Sequence, residues 1–192
     1  MTHYKKLVGE KCYLSPCSLE DAEKWTEWDN DLEFAIPLGE EAFMVFSLDK
    51  MKEIIGNLIT KQDPVFSIID LKTDTPIGRC MLFYVDRVNK KAMLGIGIGE
   101  KDYWNKGYGQ DATALLLDYG FNLLNLNNIM LGVFSYNQRA INCYKKLGFK
   151  EIGRRREAKI IGGKNFDEIF MDILAREFQS VYVSKFTERE IK

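Results

Sequence analysis

The stretch Tyr103-Trp104-Asn105-Lys106-Gly107-Tyr108-Gly109-Gln110-Asp111-Ala112 decides how the rest of the chain is read. Two glycines two residues apart allow a tight turn whose N–H groups face a ligand. Ala112, Leu115, Leu116, Tyr119 and Leu123 then recur at helical spacing. A helix over 107–124 would aim its positive end at that turn, which suits an anion and most simply a phosphate. Before the turn, Ala92 to Gly99 reads as a strand with glycine at alternate positions, Gly95, Gly97 and Gly99. Glycine weakens a strand, so three imply a bulge or the close approach of another backbone or a ligand.

After the helix, Asn128 to Ser135 reads as a buried strand. Asn137 then caps a short helix that stops at Gly148, a natural left-handed position. Lys150 to Ile161 and Asn165 to Leu174 flank Gly162-Gly163, a hairpin pair. On the N-terminal side, Val65 to Asp70 and Pro76 to Val85 are strands, and Val8 to Leu14 a shorter one. Ser18 caps a helix carrying Ala22, Trp25 and Trp28, and Ser47 or Asp49 caps another through Ile59. Residues 29–41 read as an irregular acidic loop broken by Pro37 and Gly39, and 178–192 as a loose tail or a packing extension. No repeat or linker interrupts the chain, so one α/β domain over 1–192 is expected.

The 192 residues are 46% hydrophobic, enough for one well-buried core. The 27 basic and 28 acidic side chains balance without a basic stripe, so nucleic acid is not an expected partner. Cys12, Cys17, Cys80 and Cys143 lie far apart and the single histidine is His3, which predicts neither a metal site nor a disulfide scaffold. No run of eighteen apolar residues occurs, and 1–6 lack an apolar export core. A cytoplasmic protein without a membrane partner is expected.

Gly107 to Ala112 formally matches the dinucleotide fingerprint. That reading wants the turn directly after a strand and a carboxylate ending the next one. Here residues 100–106 intervene, and the next strand ends Val133-Phe134-Ser135-Tyr136. No Gly-Lys-Ser/Thr follows, which excludes a Walker loop. By itself the turn is equally a plain helix start.

Trp104 to Ala112, together with Asn137-x-x-Ala140-Ile141-x-x-Tyr144-x-Lys146-x-Gly148-Phe149, resembles the two cofactor motifs of the GNAT family of N-acetyltransferases. The resemblance is strongest over about 76–174. Trp104 stands where the common pattern has Arg or Gln, as in the subgroup acting on ribosomal-protein N-termini and polyamines. The resemblance implies a mostly antiparallel mixed sheet of about seven strands, splayed between the fourth and fifth, with about four helices. It implies acetyl-CoA as co-substrate, without a metal. The implied contacts are Trp104, Asn105, Lys106, Gly107, Tyr108, Gly109 and Gln110 at the pyrophosphate, Ile96, Gly97 and Ile98 on the splayed strand, and Asn137 and Tyr144 beyond it. Lys106 is the expected electrostatic partner, and a pantetheine wedge would account for Gly95 and Gly97.

In the family an amine attacks the thioester directly within a ternary complex. The resemblance makes Tyr144 the general acid, a phenol with an ordinary pKa near ~10. It gives the oxyanion to a main-chain N–H near Ile98. Many relatives carry Glu at the second position of the splayed strand, where this chain has Met93. Asp31, Glu33, Glu40, Glu41 and Asp86 are the candidate bases, and Glu33, Glu41 and Asp86 the expected acceptor contacts. The acceptor region is about 15–60. The expected acceptor is a small-molecule or peptide amine, either a protein N-terminus or a polyamine. Met93 keeps an alternative open, a catalytically idle acyl-CoA-binding sensor or assembly module. Cys143, about 100° around the helix from Tyr144, is expected to point elsewhere. Strand addition at the splay or the last hairpin would give a homodimer.

Overall fold

The protein is described by a computed structural model covering residues 3–61 and 64–187. The strand expected at Val8–Leu14 is two, β1 (Leu7–Val8) and β2 (Cys12–Pro16), folded back on each other around Gly9. They are followed by β3 (Val65–Asp70), β4 (Pro76–Asp86), β5 (Lys91–Ile98), β6 (Asn128–Phe134), β7 (Lys150–Ile161) and β8 (Lys164–Leu174). One sheet results, in the order β1-β2-β3-β4-β5-β6-β8-β7. The extra strand makes eight rather than seven and moves the parting to β5 and β6. These two are the only parallel pair among the described strands, and they match only at Lys91↔Asn128, Ala92↔Ile129 and Met93↔Met130. Beyond Met93 and Met130 they separate.

Side chains alternate across the sheet. Cys80 and Leu82 of β4 join one apolar cluster, while Met81 packs against the other. The first cluster lies under α4 (Tyr108–Asp118), which ends in a π turn at Tyr119–Leu123, and α5 (Gln138–Lys146). The second holds Trp25, Trp28, Phe34, Met51 and Ile55, from α1 (Ala22–Asp29), α2 (Leu32–Leu38) and α3 (Leu48–Lys61).

Helix α2 corrects the expectation of an irregular loop. Asp31 caps it by accepting from Glu33 N–H at 3.0 Å, and Pro37 sits in its last turn, where the chain is already leaving the helix. Gly39 follows with φ +147°. Ser18 and Asp21 form a capping box ahead of α1, and Ser47 accepts from Lys50 N–H to open α3. The hairpin over Gly162 and Gly163 has both glycines at positive φ. With α2 and the one-turn α6 (Ser184–Thr187), the α-helices among the described residues number six rather than about four.

Three carboxylates lock these layers. Asp29 takes Arg79 of β4 in a buried two-pronged pair at 2.6 and 3.0 Å. Asp111 accepts from the N–H groups of Glu10, Lys11 and Cys12, tying the first hairpin to the start of α4. Asp118 is fully buried and accepts from Ser180 and from the N–H groups of Val181, Tyr182 and Val183. Residues 178–187 are therefore a packing extension; 188–192, also expected as tail, lie outside the described residues.

Candidate active site

Gly107 adopts φ +87°, the left-handed conformation that lets the chain turn into α4. No side chain caps this helix, so the first-turn N–H groups stand open at its positive end. A Cβ on Gly109 would meet nothing nearer than Ile98 Cγ1 at 3.8 Å, which leaves the space before the turn clear. The turn is held from behind. Tyr108 donates to Asp70 at 2.8 Å and packs edge-on against Tyr103, and Asp111 anchors the next turn as described.

From this loop a cleft of about 770 Å³ runs through the parting of β5 and β6 to the side of the sheet covered by α2. Its walls include Ile96, Gly97, Ile98, Trp104, Asn105, Gly107, Gly109, Gln110, Asn137, Tyr144 and Glu41 of the expected residues. Lys106, Tyr108, Glu33 and Asp86, also expected at the site, are not among its lining residues. Lys106 is exposed. Glu33 and Asp31 are bound to Lys101. Asp86 spends its oxygens on Val88 and Asn89 in the β4–β5 turn. The cations in the wall are instead Lys146, Arg79 (committed to Asp29) and Arg139, the last stacked 3.9 Å above the centre of the Trp104 ring. Trp104 in turn donates to the Ile98 carbonyl at 2.7 Å and pins the end of β5 to the loop.

The strand geometry sorts its own donors. Gly99 N–H goes to the Ile77 carbonyl of β4, so alternation turns the N–H groups of Ile98 and Ile96 to the opposite, parted edge. Gly97 of β5 and Gly99 just after it also have a packing reason. A Cβ on Gly97 would fall 2.7 Å from Phe34, and one on Gly99 would fall 2.1 Å from Trp28. They admit the aromatic rings of α1 and α2 onto the strand.

Tyr144 is buried beside Phe149, at a ring separation of 5.6 Å, and reaches the cleft wall. Burial first, and Cys143 second, push its phenol well above the usual range, so its proton stays in place at neutral pH. Cys143 lines the same cleft, contrary to expectation, and burial raises its thiol as well. Asn137 caps α5 by accepting from Ala140 N–H at 3.1 Å, worth ~1 kcal/mol. Its amide also donates to the Pro37 carbonyl at 3.4 Å. Tyr136 donates to Ile36 at 2.7 Å and Lys159 to Gly39 at 2.5 Å. These three donors occupy the carbonyls at the end of α2 and hang that helix over the cleft.

A left-handed glycine before an uncapped helix, a cation at the mouth and an apolar slot with main-chain N–H groups on its edge fit a phosphate-tailed thioester. Fold and site together define an acyl-CoA-dependent acyltransferase. The chain belongs to the GNAT acetyltransferases, whose domain model matches residues 11–150, and the family uses acetyl-CoA. It is 32% identical to the uncharacterized N-acetyltransferase p20 of Bacillus licheniformis, over 90% of this chain and 97% of that one. It is 27% identical to spermidine N(1)-acetyltransferase of Escherichia coli K12, over 86% and 87%. The crystal structure of Vibrio cholerae spermidine N-acetyltransferase in complex with CoA and spermine superposes with a TM-score of 0.79, at 26% identity over 86% and 96%. Among the described residues no helix is long and apolar enough to cross a membrane, and no acidic, His or Cys cluster is arranged for a metal.

Proposed function

We propose that the chain moves the acetyl group of acetyl-CoA to the primary amine of a polyamine, or failing that of a protein N-terminus, by direct attack in a ternary complex. The observation that carries this reading is one cleft, with main-chain donors and Arg139 at one end and the carboxylates of Glu41 and Glu168 at the other. The spermidine acetyltransferases among its relatives support the same acceptor class.

The cofactor supplies the activated acetyl thioester. Gly107, Gly109 and Gln110 hold its phosphates through main-chain N–H groups, with Arg139 adding charge. Ile98 N–H faces the parted edge where negative charge develops on the carbonyl oxygen. Tyr144 keeps its proton and donates it as a hydrogen bond to the departing sulfur. Glu41 draws the cationic acceptor to the mouth.

Thiol release from acetyl-CoA, measured against spermidine, N-terminal peptides of ribosomal proteins and amino sugars, tests this. Release with spermidine, lost in Tyr144→Phe, is the expected result. Release only with amino sugars would overturn the acceptor, and release unaffected by Tyr144→Phe would remove the acid.

A further inference from the structure

Met93 stands where a proton-accepting carboxylate would serve the acceptor amine, and a thioether cannot take that proton. The acids proposed from the acceptor loop do not fill the gap, since Lys101 holds Asp31 and Glu33. Asp86 closes its own turn. Among the described acidic residues only Glu41 and Glu168 line the cleft.

Glu168 is the better placed of the two. It sits on β8 opposite Phe134, and Leu131 and Val133 of β6 point into the α4 cluster. Alternation therefore puts Gly132, Phe134 and Glu168 on the acceptor face, the face that Met93 and Gly95 of β5 also present. Glu168 reaches diagonally along β6, so that its Oε1 lies 2.5 Å from where a Cβ on Gly132 would be. Gly132 is a recess that this carboxylate fills. Glu168 makes no hydrogen bond or ion pair with any described residue. Lys159 lies within electrostatic reach of Glu168, but its ammonium donates to the Gly39 carbonyl and is set against the rings of Phe43 and Phe134. A half-buried carboxylate that makes no hydrogen bond, feels Lys159 only through space and faces a cleft beside an aromatic ring is a seat for a further cation.

We infer that Glu168 receives the acceptor's ammonium and takes its proton, supplying from β8 what Met93 does not supply from β5. This rests on the cationic-amine reading above. The step is an acid–base exchange: one ammonium N–H bond breaks, one carboxyl O–H bond forms, and the nitrogen keeps the electron pair with which it attacks. The carboxyl then returns the proton to water at the open mouth.

The test uses the full chain with spermidine as probe. Glu168→Gln should lower kcat/KM for spermidine ~10²-fold near neutral pH, while affinity for CoA, measured by calorimetry, stays within about twofold. The deficit should shrink as pH rises toward the pKa of the amine, near ~10, where the acceptor arrives already deprotonated. Calorimetry without acetyl-CoA should show weaker spermidine binding in the variant. Glu168→Asp should recover part of the activity, and Gly132→Ala, which displaces the carboxylate without removing it, should give an intermediate loss. A Glu168→Gln enzyme within twofold of wild type, or one with a deficit that does not change with pH, overturns the inference and leaves the function standing. A wild-type enzyme that acetylates neither spermidine nor a peptide amine removes both.

Discussion

The two ends of the cleft recognise their ligands with different parts of the chain. At the proposed cofactor end the available donors are main-chain N–H groups at the start of α4 and along the parted edge of β5, fixed by the conformation of Gly107 and by strand alternation. At the proposed acceptor end they are side chains delivered by α2, β6 and β8, segments that reach more than a hundred residues apart in sequence. Backbone recognition leaves a compact glycine signature, whereas side-chain recognition is distributed and tolerates exchange. That tolerance is what the inferred role of Glu168 requires, a glutamate on β8 standing in for one absent from β5.

Substitutions that respect this division should separate the two ends. The largest effect is expected from Gly109→Glu, which projects a carboxylate into the open space before the helix. Like charge there should weaken acetyl-CoA ~10²-fold or more, with little change in the KM for amine; an equal loss of both would break the division. Arg79→Ala attacks what joins the ends, since it strands buried Asp29. A cost of ~3–5 kcal/mol should appear as a melting temperature lower by roughly 10 °C, and a melt unchanged would show that the pair is not structural.

Asp118→Asn should act on neither end. Burial raises its carboxyl, but Val183 N–H, Ser180, Asn122 and Tyr182 N–H together hold it below the ordinary value. A carboxyl lowered on folding stabilises above the unfolded pKa, near ~3.9, and loses that contribution as pH falls through the lower folded value. Wild type should therefore exceed the variant by ~1–3 kcal/mol at neutral pH and converge with it in acid, as denaturant melts at several pH values would show. The smallest effects compare two neighbouring acids. Glu41→Gln should raise the KM for spermidine several-fold, and Glu33→Gln, already tied to Lys101, should change it less than twofold.

Much of the fold was legible because its signals are local. The capping side chains Ser18, Ser47 and Asn137, the alternating strands and the paired glycines at 162–163 are each read within a few residues. The first strand was misread as continuous although Gly9 marks the fold-back. Helix α2 escaped because Pro37 and Gly39 read as breakers, when both fall at its end, and Asp31 was counted as loop charge instead of a cap. The ligand reason reached Gly97 alone of this pair, and no local pattern shows that Phe34 and Trp28 come to rest on Gly97 and Gly99. Arg139 had a signal, its place two residues after Asn137 in the motif. Glu168 had none, since its role depends on a glycine 36 residues earlier that only strand pairing brings beside it. Asp118 was visible as a lone carboxylate in the apolar run after Leu117, but its partners lie sixty residues downstream.

Trp104 has a consequence beyond architecture. Trp25 and Trp28 are 2% and 3% exposed in the acceptor-side core, whereas Trp104 sits in the cleft wall with a guanidinium stacked on it. Light emitted by the first two is shielded from events in the cleft, and light emitted by the third is not. The molecule thus carries an intrinsic fluorescent reporter at the point where its cofactor enters, and titrating acetyl-CoA while watching the emission follows loading without a label.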